Sequence, residues 1–302
     1  MAATIIRRNT NFWFDDGNIV LNAQGTLFRV HRGIIGRHAQ VFKDMTSIPQ
    51  PQTGQEPSVE GCPLVPLDDD PEDWEHLLNV IYDCNTSSFS KDTWNLPVLT
   101  SVLRLGRKYA FDHLYGEALK RVKLGVPSTL ETWDEMLDNL YNAKADTPSK
   151  DDAIDLLNVL LEFDVGSCLP VGYAICLTFL TVEEVFRGTP RQDGSIARLS
   201  AASIETLIVG REKIFESKHF KAFPDVLIPG EDCSFPAGCR RRSDCSPYPK
   251  AHSALEPWED IEWYCDQCKK RLIDHSRLHR QAIWSCLPFY FGSEQSNDAM
   301  DR

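Results

Sequence analysis

Nothing in this sequence is apolar for long enough to cross a bilayer. The longest apolar run, Leu169 to Leu180, has 12 residues and is interrupted by Pro170 and Gly172, whereas a spanning helix needs about 20. Its length is that of a buried core helix. Positive charge is also scarce: 32 Lys and Arg stand against 44 Asp and Glu, a net charge of −12. That balance argues against a global electrostatic grip on nucleic acid or on an anionic membrane. The sequence contains no G-x-G-x-x-G, no G-x-x-x-x-G-K, no G-x-S-x-G and no H-E-x-x-H, so phosphate-cradling loops and the common nucleophile and zinc-protease motifs are missing. Paired acids such as Glu183-Glu184 have no visible partner for acid–base work. Non-catalytic behaviour is therefore expected. Arg7-Arg8 near the start are followed by no apolar core of the secretory kind. The expectation is an intracellular chain, cytoplasmic or nuclear. There, ten cysteines are thiols or metal ligands rather than disulfides, and the sequon at Asn85 has no meaning.

What is present is soluble and globular in composition, with 42% apolar and 25% charged residues. At 302 residues the chain has room for one large or two ordinary domains. Its most ordered signal runs from Phe12 to Met45. Asp16-Gly17 is a turn dipeptide. Asn18 to Leu21 is β-rich, and Leu27 to Val30 alternates as a half-buried strand does. Gln24-Gly25 between them closes a tight hairpin. The period then changes to three and four at Ile34, Ile35, His38, Val41, Phe42 and Met45, which is a helix face. Leu64 to Leu67 reads as a third strand. Asp68-Asp69-Asp70-Pro71 has the acids and proline of a helix start and lacks the ligand alternation of a calcium loop. Trp74, Leu77, Leu78, Ile81 and Tyr82 form the stripe of that helix. Two further helices follow between Leu96 and Val122, turning at Tyr109-Ala110-Phe111.

These residues resemble the BTB/POZ domain in the form found in fungal proteins. The resemblance is carried by Asp16 to Ile19, Leu27 to His31, Ile35, Val41-Phe42, Pro63 to Leu67, the helix from Trp74 to Tyr82, and Leu96 to Val122. It implies an α+β first domain over 12–125, a small sheet capped by helices. It also implies an interaction module without a catalytic site, usually a dimer, homotypic or heterotypic. His31 is structural in that pattern. The exposed apolar side chains of Phe12, Trp13 and Phe14 are the expected dimer surface. Cullin-binding members often carry an apolar-x-Glu motif in the proline-rich loop at 46–61. Here it reads Ile48-Pro49-Gln50, which keeps the shape and loses the charge, so an adaptor role in a ubiquitin ligase is doubtful.

Residues 126–228 read as an all-helical extension, with faces such as Trp133, Met136 and Leu137, and Ile204, Leu207 and Ile208. Thr189 to Gly194 reads as a loop. Six of the ten cysteines crowd between Cys233 and Cys286, in a third segment, 229–292. Cys265-Asp266-Gln267-Cys268 is a C-x-x-C knuckle that fills two corners of a zinc tetrahedron. Cys233 and Cys239, bent together by Pro236 and Gly238, supply the other two. Cys245 and His252 are the alternates. Four thiolates leave no open position for water, so the site is a closed, structural one. Residues 229–260 are poor in aliphatic core, and a metal supplies what burial does not. Free thiols are the competing reading. A redox C-x-x-C is a third, without the strand-to-helix setting that lowers a thiol pKa. Some fungal BTB proteins have a similar Cys-rich end, with Cys pairs ahead of a helix like Trp284 to Phe291. His275 and His279, four apart, read as surface histidines. Arg240-Arg241-Arg242 is a short basic cluster, flanked by Glu231 and Asp244, on which a nucleic-acid-binding regulator is the rival reading.

Overall fold

The computed structural model describes residues 6–47, 57–82, 95–141, 151–191, 193–217, 229, 231–243, 254–256 and 264–292. The fold is mixed α+β, and the chain divides into two compact units, Met1–Gly125 and Val126–Arg302. No helix among the described residues is long and apolar enough to cross a membrane.

In the first unit, strands β1 (Arg7–Trp13), β2 (Ile19–Ala23) and β3 (Thr26–Val30) lead into helices α1 (Arg32–His38) and α2 (Gln40–Ser47). Strands β4 (Ser58–Val59) and β5 (Cys62–Leu67) follow, then α3 (Pro71–Tyr82), α4 (Leu96–Tyr109) and α5 (Asp112–Gly125). The sheet order is β1-β3-β2-β5-β4. Strands β2 and β3 are antiparallel, and β5 runs parallel to β2. The hairpin closes at Gln24-Gly25, both with positive φ, the backbone that a two-residue turn needs to match strand twist. The Asn22 side chain accepts from the Gly25 N–H at 2.9 Å. Asp70 caps α3, its carboxylate accepting from the Glu72 N–H at 2.8 Å. Trp74, Leu77, Leu78 and Ile81 are then buried. Trp74, Phe42 and Tyr109 meet with ring centroids 5.3–5.9 Å apart. Asp69 binds them into one network, accepting from the Tyr109 hydroxyl at 2.6 Å and the Trp74 indole N–H at 3.3 Å. Burial, together with this carboxylate, pushes the Tyr109 hydroxyl up, so it stays a donor.

Two expectations need correction here. The sheet begins at Arg7, not Phe12. Strand β1 is polar, and it is held by parallel pairing to β3 and by Asn9 and Asn11, which donate to Glu75 at 3.1 Å. No hydrophobic alternation announces it. Nor are Phe12, Trp13 and Phe14 an exposed trio. Phe12 is 2% exposed, and Trp13 and Phe14 are half-buried. Their side chains alternate across the strand. Phe12 and Phe14 lie against Tyr82 at 6.2 and 4.9 Å, while Trp13 packs on Val20, Leu27 and Cys62. His31 closes the first of these clusters. Its backbone N–H donates to the Tyr82 hydroxyl at 3.0 Å, and its ring meets Asp16 at 3.1 Å. The loop at 48–56, with Ile48 and Gln50, lies outside the described residues, while Ser58–Val59 form β4.

The second unit holds α6 (Leu130–Tyr141), α7 (Ala153–Glu162), α8 (Leu169–Phe179), α9 (Val182–Arg187) and α10 (Ala201–Glu216). Then come α11 (Pro236–Ser243) and the 25-residue α12 (Asp266–Tyr290). Helix α8 is buried along Pro170 to Leu177. Gly172 admits the Leu160 methyl, which would stand 2.7 Å from any added Cβ. The stretch expected as a loop contains a small hairpin, β6 (Thr189–Pro190) against β7 (Ile196–Ala197). Arg191 ties it to Asp155 with two bonds of 2.6 and 2.7 Å. The Cys-rich segment is not set apart as a third unit, because α12 lies along α6, α8 and α10. Its buried stripe is Leu272, Ser276, His279, Ile283, Leu287 and Tyr290. His279 is therefore 4% exposed and not a surface histidine, and its ring stacks on that of His275 at 6.4 Å. Buried Arg280 is neutralised by Asp134 and donates to the Leu255 carbonyl at 2.8 Å.

Helix α9 starts with a complete capping box. The Thr181 hydroxyl accepts from the Glu184 N–H at 3.2 Å, and the Glu184 carboxylate accepts from the Thr181 N–H at 2.8 Å. Thr181→Ala is expected to cost about 1 kcal/mol. The expected fall in Tm is about 2–4 °C, measurable by calorimetry.

Candidate metal centre

The four cysteines singled out by spacing come together. The Sγ atoms of Cys233, Cys239, Cys265 and Cys268 all lie within 4.8 Å of one another. Cys233 and Cys265 are 3.6 Å apart. Four thiolates about 2.3 Å from a central ion at tetrahedral corners stand about 3.8 Å apart, so the cluster has the size of a metal site. A disulfide needs about 2.05 Å, and all four thiols are free.

Local structure explains the placement. Cys265 is the N-cap of α12 and Cys268 lies in its first turn. A three-residue step across a helix start brings both sulfurs to the same end. The Cys268 backbone amide near the Cys265 sulfur, aided by Ser234, holds the Cys265 thiol down to about 5. The positive end of the helix favours thiolate in the same direction. Cys233 precedes α11, and Cys239 lies within it, its N–H donating to the Phe235 carbonyl at 3.0 Å. A Cβ on Gly238 would overlap the Phe235 ring, so glycine lets the turn close. The Ser234 hydroxyl donates to Gln267 at 3.3 Å, joining the two halves. Tyr264 packs against the sulfurs.

Cys233, Cys239 and Cys268 are buried, and burial pushes the Cys239 thiol up. A buried thiolate is costly without a cation. A metal ion offsets that cost for all four ligands at once. The donor set is soft and all sulfur, which suits zinc or iron and disfavours magnesium or calcium. With four protein ligands, the ion has no free corner for water or substrate.

Cys245 and His252, the alternates, lie outside the described residues. Cys286 is 18 positions beyond Cys268 on the same helix, about 27 Å away at 1.5 Å per residue, and cannot be a ligand. Arg240 to Arg242 fall in α11. Sequence reasoning found the four sulfurs but missed their surroundings. It assigned no setting for a low thiol pKa, yet the helix start supplies one at Cys265. Only the C-x-x-C immediately ahead of a helical period could have signalled it. Compared with protein-family models, with curated proteins and with solved structures, the chain matches none.

Proposed function

We propose that the chain is a non-catalytic protein-interaction scaffold, with a BTB/POZ-type first unit and a structural zinc ion held by Cys233, Cys239, Cys265 and Cys268. The observation that carries this reading is the order of elements in the first unit. A hairpin, a helical hairpin, a strand parallel to the first strand of the hairpin and three further helices fall on the residues that carry the resemblance. Zinc is favoured among soft metals because an all-cysteine, closed tetrahedron is its usual structural site. The ion fixes the loop before α11 to the start of α12 and takes no part in chemistry. The site residues bind and hold; none is a catalyst.

Such scaffolds act through their surfaces. With Phe12 buried, the apolar residues within 12–45 that remain available for a dimer are Ile34 and Val41, 37% and 45% exposed. A dimer built on α1 and α2 is expected. Sedimentation of the full chain should give twice the monomer mass, falling to the monomer mass for Ile34→Arg with Val41→Arg while the circular dichroism stays unchanged. A monomer at all concentrations would remove the dimer from the reading.

A further inference from the structure

Basic groups are outnumbered over the whole chain, yet one cleft of the first unit gathers them. It is an open cavity of about 320 Å³ between the end of α1, the start of α2 and the start of α5. Arg37 and His38 line it from α1, Lys43 from α2, and His113 from α5. Asp112 is the single carboxylate on its wall. Asp44 accepts from the side chain of Gln40, another lining residue, at 2.6 Å. The α1 and α2 walls stand close: a Cβ added at Gly36 would lie 3.6 Å from the Lys43 backbone, an ordinary van der Waals contact. His38 is held below the usual histidine range by partial burial and by the neighbouring Arg37 and His113.

A planar guanidinium, an ammonium and two imidazoles around a small opening are the donors that a tetrahedral dianion takes. The opening admits one such group. An anionic bilayer is instead gripped by clusters of about 4–8 Lys and Arg, and it would repel a chain of net charge −12. We infer that this cleft binds a phosphomonoester dianion presented by a protein partner, a phosphorylated serine or threonine side chain held by Arg37 and Lys43 beside the imidazoles of His38 and His113. Asp112 sets the limit on affinity by repulsion, and acidification below the usual histidine range strengthens the grip by charging His38.

The test uses the full chain and a fluorescent peptide mixture randomised around one phosphoserine, with its unphosphorylated twin as control. Anisotropy should show the phosphorylated mixture binding at least tenfold more tightly. The preference should be lost in Arg37→Ala with Lys43→Ala, exposed positions whose variants are checked for folding by circular dichroism. Sulfate stays a dianion across pH 5.0–7.5, a window that extends below the usual histidine range and so reaches the lowered His38. Its titration, followed by the amide shifts of Gly36, Lys43 and His113, should tighten severalfold at the lower pH. Equal binding of the two peptide mixtures, binding retained in the folded double variant, or tighter binding to phosphatidylserine vesicles than to phosphopeptide would overturn the proposal. A sulfate affinity independent of pH would overturn the part given to His38.

Discussion

Stripping the proposed metal from the four-cysteine cluster is expected to loosen the second unit more than any single substitution elsewhere in it. Structural zinc in small folds binds with about 10–16 kcal/mol at neutral pH, as large as the whole stability of a typical domain, about 5–15 kcal/mol. The loop carrying Cys233 and the short helix α11 bury little besides sulfur; their described apolar contacts are Cys233, Cys239, Cys268, Tyr264 and Cys265. Without the ion, little among the described residues on this side offsets the entropy of ordering them. A strong chelator, or Cys265→Ser with Cys268→Ser, should therefore abolish amide protection from Cys233 to Ser243 and in the first turn of α12. The buried stripe further along α12, from Leu272 to Tyr290, should lose less. Hydrogen exchange read residue by residue distinguishes the two. The sign of the pH effect follows from the ligands. Binding needs thiolates and releases their protons, so acid competes with the ion. Metal is expected to be held at neutral pH and lost progressively as the pH falls. Protection that is the same with and without chelator would mean that the cysteines carry no ion.

Trp74→Ala is expected to be the most damaging change in the first unit. Trp74 is fully buried, edge-on to Phe42 at 5.9 Å and tilted on Tyr109 at 5.3 Å. Truncation removes its transfer free energy and leaves a cavity, together about 3–5 kcal/mol. It also deprives Asp69 of one donor at a carboxylate whose side chain is 9% exposed. Tyr109 and Lys108 still donate to that carboxylate, so the added cost is part of a hydrogen bond and not an unpaired charge. Urea unfolding should show the midpoint falling by roughly a third to a half of its wild-type value. Tyr109→Phe keeps the packing and removes one bond, and should cost only about 1–2 kcal/mol. A small effect of Trp74→Ala would mean that α2, α3 and α4 do not share one core.

How far the sequence anticipates this structure depends on which force sets each element. The β2–β3 hairpin was legible because Gln24-Gly25 is a backbone requirement, written in residue type. Helix α3 was legible because Asp70 and Pro71 mark its start and Trp74 to Ile81 repeat at three and four. The four sulfurs were legible because metal geometry demands fixed spacings. Strand β1 was not. Arg7 to Asn11 have no apolar alternation, and their conformation comes from partners such as Glu75 that are distant in sequence. The burial of Phe12 escaped for the same reason, since Tyr82 lies 70 positions away. His279 was misplaced because the many charged residues around it read as a solvated helix face. Once the helix is known to begin at Asp266, position 279 falls on its inner stripe. The basic cleft was invisible because Arg37, Lys43 and His113 sit on three elements and form no motif.

The most direct test of the structural site is to measure metal content and local coordination together, on full-length protein purified without added metal. The account predicts one zinc per chain. Its absorption edge should show four sulfur neighbours at about 2.3 Å, and the ion should be lost in Cys265→Ser with Cys268→Ser. Metal-free protein, or zinc bound through nitrogen and oxygen, would contradict it.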